Sequence, residues 1–164
     1  MKFSREWEML TAEQKELISK HQSSTPIKIG EIAKDLGLIV KSSTLRAGIS
    51  GEIKKVNGQF TIRVNRHDPK VRQRFTVAHE IGHFLLHQDQ IGDGIVDDIL
   101  YRSSLSDVLE AQANRVAADL LMPWALIEKS LKVHRNLKSE VRLEKLAQEL
   151  EVSSTALKIR LGKL

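Results

Sequence analysis

Two histidines and a glutamate lie close together in the segment His79-Glu80-Ile81-Gly82-His83. In an α-helix, residues four apart point to the same side, so both imidazoles can reach one ion. Glu80 is offset toward that side, where it can reach a water molecule bound to the ion. Zinc lowers the pKa of such a water toward neutrality, and a carboxylate can then accept its proton. The spacing therefore predicts a zinc hydrolase centre with His79 and His83 as ligands and Glu80 as the general base.

The helix that carries this motif is predicted over residues 69–87 and has one narrow polar stripe. At about 100° per residue, the stripe contains Arg72, Gln73, Thr76, His79, Glu80, His83 and His87. Apolar residues cover nearly all of the remaining surface, which predicts a mostly buried helix. Buried polar groups are costly unless they are paired or ligated. The stripe therefore favours a metal site over a chance match in a surface helix.

A catalytic zinc has three protein ligands and one open position, and four residues compete for the third place. His87 lies too far along the axis of a straight helix, and His67 precedes the helix in a loop. Asp89 would require a glycine-mediated turn that the sequence lacks. Glu110 is favoured because the predicted helix 106–122 places it on the core-facing stripe, where an acid is rarely buried unpaired. A purely structural explanation of Glu110 is an acid stabilised by the dipole at a helix N-terminus.

Two further polar residues are predicted to support the centre. Asn114 lies one turn after Glu110 on the same face and could hold a zinc-bound histidine in one tautomer. It could equally be a hydrogen-bonded core asparagine. Tyr101, between the two helices, could donate to the developing oxyanion, or it could be an exposed loop tyrosine. The small residues Ala113 and Ala117 would let the two helices approach closely, while Asp119 is expected on the solvent side.

The elements around the two motifs predict an α+β fold. Helices are predicted at residues 4–21, 28–36, 69–87, 106–122, 123–133, 139–150 and 153–162. Three strands, LIVKSS, SGEIKKV and QFTIRVN, lie before the motif helix. Asn57-Gly58 predicts a hairpin between the last two, because both turn positions favour positive φ. The segment 88–105 is rich in Gly, Asp and Ser and is predicted as a loop. We expect an N-terminal helix in residues 1–27, a core in 28–133 and a C-terminal helical pair in 134–164.

The composition excludes several other classes of site and location. The 164 residues contain no cysteine, so disulfides, thiolate nucleophiles and Cys-type zinc sites are excluded. No apolar run is long enough to span a bilayer, and the mixed-charge start MKFSREWEML lacks a signal-peptide pattern. We therefore expect a cytoplasmic protein with no membrane partner. The formal charge of +5 is concentrated in residues 132–164, which hold eight Lys or Arg and four Glu.

Two separated segments together resemble the ImmA/IrrE-type metallopeptidases: QRFTVAHEIGHFLLH and EAQANRVAADLLMP. The preceding SGEIKKVNGQFTIRVN is similar to the family's three-stranded sheet. The resemblance implies a zincin-like fold, with a small antiparallel sheet packed on the active-site helix and additional helices at both ends. It also implies Zn²⁺ held by His79, His83 and Glu110, with Glu80 catalytic. The implied role is regulatory cleavage of a helix-turn-helix repressor or an antitoxin-type partner. Val116 departs from the family, which usually has Phe there, and this changes core packing.

Other functions remain open on the sequence alone. The C-terminal segment LEKLAQELEVSSTALKIRLGKL has a helix-turn-helix pattern, in which Ser153 or Ser154 could cap the second helix. With its basic excess it could bind DNA, using Lys158 and Arg160, while the metal motif stays inactive. A small-molecule amidohydrolase would use the same ligands, and manganese or iron could replace zinc. If the substrate is a peptide, it could add to the sheet at QFTIRVN, which is expected to be an edge strand.

Overall fold

Helices flank one small sheet in the computed structural model, which describes residues 3–163. Residues 1, 2 and 164, at the ends of the predicted terminal segments, lie outside it. The elements are α1 (Ala12–Ser19), α2 (Ile29–Asp35), β1 (Ile39–Ser43), β2 (Ile49–Val56), β3 (Gln59–Asn65), α3 (Lys70–Leu86), β4 (Ile95–Asp98), α4 (Asp107–Leu121), α5 (Trp124–Val133), α6 (Ser139–Leu150) and α7 (Ser154–Arg160). The predicted α+β class is confirmed.

The N-terminal helix predicted over residues 4–21 is wrong in detail, because the segment is broken in two. A short 3-10 helix at Glu6–Met9 precedes α1. Thr11 between them is extended, and its hydroxyl accepts from the Gln14 backbone at 3.1 Å while the Gln14 side chain accepts from the Thr11 N–H at 3.0 Å. This capping box starts a new helix where the periodic pattern alone predicted continuity.

The sheet has four strands rather than the three predicted, in the order β1-β3-β2-β4. β2 pairs antiparallel with β3 and β4, but β1 runs parallel to β3, so the sheet is mixed. The hairpin between β2 and β3 turns at Asn57 and Gly58, both with positive φ, as predicted. β3 is QFTIRVN and lies inside the sheet, so its predicted place at the edge is wrong.

β4 lies in the segment that was predicted as a loop. Its residues alternate in burial, with Ile95 and Asp97 facing inward and Val96 exposed. Four residues bounded by glycines and aspartates carry little local strand signal, and the pairing with β2 is what extends them. Among residues 3–163, β4 pairs with β2 alone, so its other side is an open edge.

Helix α3 packs against β2 and β3 on one side and against α4 on another. Ile53 and Ile62 of the sheet and Ile81 of α3 are fully buried. At the crossing of α3 and α4, Gly82 faces Ala113 so closely that a Cβ on the glycine would lie 2.9 Å from the Ala113 carbonyl oxygen. The two helices therefore touch through backbone at the level of the motif.

The C-terminal helices pack on this core. Arg160 of α7 donates to the Met122 carbonyl at 3.1 Å and pairs with Asp119 of α4 at 2.9 Å. Arg74 of α3 donates to the carbonyl of Glu151 at 3.1 Å, just after α6. Asp119 is fully buried, so its predicted solvent position is wrong. The terminal segments cover the face of α4 that a helical wheel assigns to water.

None of the helices within residues 3–163 has both the length and the apolar character required to cross a membrane.

Candidate metal centre

The three motif residues lie on the buried part of α3. His79, Glu80 and His83 are each fully buried. One helical turn separates the two histidines, and their Nε2 atoms lie 3.0 Å apart. The four-residue spacing therefore aims both ring nitrogens at the same point, as the local helix geometry requires.

Glu110 meets this pair from the first turn of α4. Its Oε2 lies 2.9 Å from His79 Nε2 and 3.3 Å from His83 Nε2, and the residue is 4% exposed. Its other oxygen accepts a hydrogen bond from Ser103 Oγ at 2.5 Å. α4 begins at the Ser106 cap, whose hydroxyl accepts from the Leu109 backbone. One carboxylate oxygen is thus held against both imidazoles while the other is fixed by a hydroxyl.

Asp97 of β4 is a fourth candidate ligand that the sequence analysis missed. Its Oδ1 lies 3.4 Å from His79 Nε2 and its Oδ2 lies 3.6 Å from His83 Nε2, and the side chain is fully buried. His79, His83, Asp97 and Glu110 each offer a ligand atom, and these atoms all lie within 4.8 Å of one another. The available signal was the apolar pair Ile95-Val96 before two aspartates, which predicts an inward-facing acid only if the segment is a strand.

The residues of this cluster fit a divalent cation. Both carboxylate oxygens of Glu80 and both of Asp97 are buried without a hydrogen-bond partner. With Glu110 the cluster holds three buried carboxylates against two imidazoles, and buried charges are costly unless they are paired or coordinate metals. A dication supplies the missing positive charge. The donor set of two histidines and carboxylates suits zinc.

The pKa values of these groups show how strongly they act on each other. Burial alone would lower the pKa of His79, but Asp97 and Glu110 raise it to about 9. Burial, reinforced by Asp97 and then Glu110, raises the pKa of Glu80 well above its usual range. Burial would also raise the pKa of Glu110, but hydrogen bonds from both histidines hold it below its ordinary value. The metal-free cluster therefore retains protons that a dication would displace.

Hydrogen bonds behind the histidines leave both Nε2 atoms free for a ligand. Asn114 Oδ1 accepts from His79 Nδ1 at 2.8 Å, so the tautomer with a free Nε2 is favoured. His87 Nε2 donates to Gln112 Oε1 at 2.9 Å, which leaves His87 Nδ1 to accept from His83 Nδ1 at 3.0 Å. Burial lowers the pKa of His87 and keeps it neutral. His87 therefore holds the imidazole of His83 in place and does not itself join the cluster.

The remaining candidates lie at different distances from the cluster. The ring centroid of Tyr101 lies 4.8 Å from that of His79 with the two planes tilted by 40°, and the Tyr101 hydroxyl shares a 3.1 Å hydrogen bond with Thr76. Burial raises the pKa of Tyr101, so the phenol keeps its proton. His67 and Asp89 do not join the cluster, and Asp89 is exposed. The structure therefore brings Tyr101 to the site and leaves His67 and Asp89 outside it.

Comparison with known proteins assigns the chain to a family. A protein-family model described as the IrrE N-terminal-like domain, which is a peptidase family, matches residues 18–162. The chain belongs to this family. A segment of 95 residues of this chain is 36% identical to the radiation response metalloprotease IrrE of Deinococcus radiodurans, and a segment of the same length is 38% identical to that of Deinococcus deserti. The matched segment is 58% of this chain but only 28% and 33% of those relatives, so the chain corresponds to a part of each.

A solved structure shares the fold. It is titled a Mycobacterium tuberculosis transcriptional regulator, with a TM-score of 0.65 at 16% sequence identity. The alignment covers 99% of this chain and 48% of that one. At this identity the likeness extends to the fold alone.

Proposed function

We propose that this protein is a zinc-dependent endopeptidase. The observation that carries the proposal is the position of Glu110, whose Oε2 faces both His79 Nε2 and His83 Nε2 while Glu80 lies beside them without a partner. Two imidazoles and one carboxylate are the protein ligands of one class of catalytic zinc site. The family membership of the chain and the names of its relatives support peptide hydrolysis as the reaction.

The chain's own residues have separate roles in this proposal. His79, His83 and Glu110 would hold the ion, and Asn114 and His87 would keep the two imidazoles oriented. A bound zinc would polarise the scissile carbonyl and activate a water molecule. Glu80 would accept the proton of that water and pass it to the leaving amine, because a nearby dication favours the ionised carboxylate. Tyr101 would donate from its phenol to the charge developing on the carbonyl oxygen.

The surroundings of the centre suit a polypeptide substrate. A cleft of about 890 Å³ lies beside it, lined among others by Phe75, Leu100, Tyr101, Asn114 and Ile159. Leu100 and Ile159 are more than half exposed, so apolar side chains face the opening. We propose that an extended substrate segment adds to the open edge of β4 and places apolar side chains in this cleft. This replaces β3 as the docking strand, because β3 is enclosed within the sheet.

The proposed substrate is a helix-turn-helix repressor or an antitoxin-type partner. The family and the relatives' names support a protein substrate, and the choice of a repressor or antitoxin rests on the resemblance of the two sequence motifs. A cytoplasmic location follows from such a substrate. We further propose that residues 28–133 form the peptidase core, between the N-terminal segment 1–27 and the C-terminal helical pair 134–164, whose described parts, residues 3–27 and 134–163, pack on α4 and the start of α3.

The experiment combines metal analysis with a cleavage assay on purified helix-turn-helix repressors from the same genome. Glu80→Gln should retain one zinc per chain and lose at least about a hundredfold in activity, since it keeps the ligands but removes the base. Glu110→Ala should lose zinc and activity together, while Glu128→Ala, an exposed glutamate on α5, should change neither. Full zinc in Glu110→Ala would refute the third ligand. Full cleavage by Glu80→Gln would refute the mechanism.

DNA binding by the C-terminal pair is not supported by the side chains it requires. Arg160 pairs with Asp119, donates to Met122, and has a side chain only 9% exposed. Of the two cations expected to contact DNA, one is therefore committed to the fold. The helical pair is better explained as packing for α3 and α4.

A further inference from the structure

Asp97 points into the metal centre without any hydrogen-bond partner. Its side chain is fully buried, and neither oxygen accepts a hydrogen bond. It occurs on β4, whose inward positions otherwise carry the apolar Ile95. A buried carboxylate is costly unless it is paired with positive charge, which either protonated His79 at 3.4 Å or a cation bound in place of that proton can supply.

The distances from Asp97 to the two histidines leave room for one ion bound to all three residues. Donors bound tetrahedrally at about 2.0 Å from zinc lie about 3.3 Å from one another. The corresponding pairs are 3.0 Å for the two histidines, 2.9 and 3.3 Å from Glu110 to them, and 3.4 and 3.6 Å from Asp97 to them. Glu110 presents one oxygen to both Nε2 atoms, whereas Asp97 presents Oδ1 to His79 and Oδ2 to His83, and all four distances are close to the spacing expected between donors of one ion.

We propose that Asp97 is a fourth protein ligand, which closes the metal site in the resting protein. This rests on the zinc centre of the proposed function and adds a control to it. A site with four protein ligands has no position for a reactive water, whereas a catalytic site keeps one open. Asp97 must therefore leave the ion before hydrolysis begins.

The location of Asp97 connects this release to substrate binding. Asp97 lies on the edge strand β4, between Gly94 and Tyr101, both of which have positive φ. A register shift interrupts its pairing with β2 between Ile49 and Gly51. A peptide that adds to the open side of β4 would engage the backbone of the strand that holds the fourth ligand. Substrate binding at this edge would thus open the coordination position that hydrolysis requires.

The first test measures zinc affinity by competition with a chelator in the full chain. Asp97→Asn and Asp97→Ala should each weaken binding about a hundredfold, because each ligand carries about a quarter of the binding free energy in a four-ligand site. Asp89→Asn removes the same charge from an exposed position close in sequence and should bind zinc like the original chain.

The second test asks whether a coordination position is open. In the cobalt-substituted protein, azide should leave the visible spectrum unchanged, because Asp97 occupies the fourth position. In cobalt-substituted Asp97→Ala, azide should bind and shift the spectrum. Equal azide shifts in both proteins, or zinc affinity unchanged by both Asp97 substitutions, would overturn the proposal. If the original chain binds no zinc, the proposed function itself is refuted. If the chain binds zinc and the Asp97 substitutions leave the affinity unchanged, only this inference is refuted.

Discussion

The close crossing of α3 and α4 predicts that Gly82→Ala destabilises the protein although alanine is the better helix former. A Cβ at this position would lie 2.9 Å from the Ala113 carbonyl oxygen and 3.0 Å from its Cα. Both atoms are backbone of α4, so no side chain can rotate away. Carbon–oxygen contacts of this kind are normally about 3.3 Å or longer, so the helices must separate by about 0.4 Å.

The magnitude is the difference between two opposed effects. Alanine in place of glycine favours a helix by about 1 kcal/mol, whereas overpacking a tight core costs about 1–3 kcal/mol. Two backbone contacts at one Cβ place the cost at the upper end, so we expect a net loss of about 1–2 kcal/mol. For a domain of this size that lowers the unfolding temperature by about 2–8 °C.

The control is the same substitution where the space is open. Gly30 lies in α2, is exposed, and has no atom within 4 Å of an added Cβ. Gly30→Ala should therefore raise the free energy of unfolding by about 0.4–1 kcal/mol. Thermal and urea unfolding of the metal-free proteins give both values.

The increased separation of α3 and α4 should also disturb the metal centre, because the two histidines lie on α3 and Glu110 lies on α4. Metal sites tolerate ligand shifts of only about 0.2 Å, so Gly82→Ala should also weaken zinc binding by about tenfold. If Gly82→Ala unfolds at or above the temperature of the original chain, the reasoning from backbone contact is refuted. If it is destabilised but binds zinc unchanged, only the coupling to the site is refuted.

Three further predictions concern protons, a cap and a buried pair. His79 has a raised pKa of about 9 and is protonated below that pH. Zinc binding at pH 7.5 should therefore release at least one proton, and zinc affinity should increase as the pH rises toward 9. Calorimetry in two buffers that shows no proton release would contradict this. Ser106→Ala should cost about 1 kcal/mol by removing the cap of α4, and unchanged urea unfolding would count against it. Asp119→Ala should cost about 3–5 kcal/mol because it leaves Arg160 buried and unpaired, whereas a loss under about 1 kcal/mol would show that water solvates the guanidinium.

Local patterns in the chain were sufficient for most of the helices and for the convergence of the two motif histidines with Glu110. The spacing of His79 and His83 acts within one helical turn, so their convergence requires no knowledge of the rest of the fold. Glu110 could be found because an acid on an apolar helix face is anomalous wherever that helix packs. The turn at Asn57-Gly58 was readable for the same reason, since positive φ at both residues is a local requirement.

Features that depend on distant partners could not be predicted in this way. The parallel pairing of β1 with β3 depends on how the chain crosses the sheet, and nothing in either strand specifies that neighbour. The burial of Asp119 depends on Arg160, 41 positions further along the chain. A helical wheel for α4 gives only the relative directions of its side chains. The terminal segments that pack on α4 decide which of those side chains are exposed to solvent.

Asp97 differs from the other residues of the cluster because its position depends on long-range strand pairing and not on a local sequence pattern. The sequence by itself determined that one helix presents two imidazoles and a carboxylate to a common point, because helical periodicity is a local property. Only the tertiary structure decided that β4 pairs with β2 and turns a third carboxylate, after those of Glu80 and Glu110, toward that point. Four residues beside flexible glycines take a strand conformation because an existing strand accepts their hydrogen bonds, and that acceptor lies about 40 residues earlier in the chain.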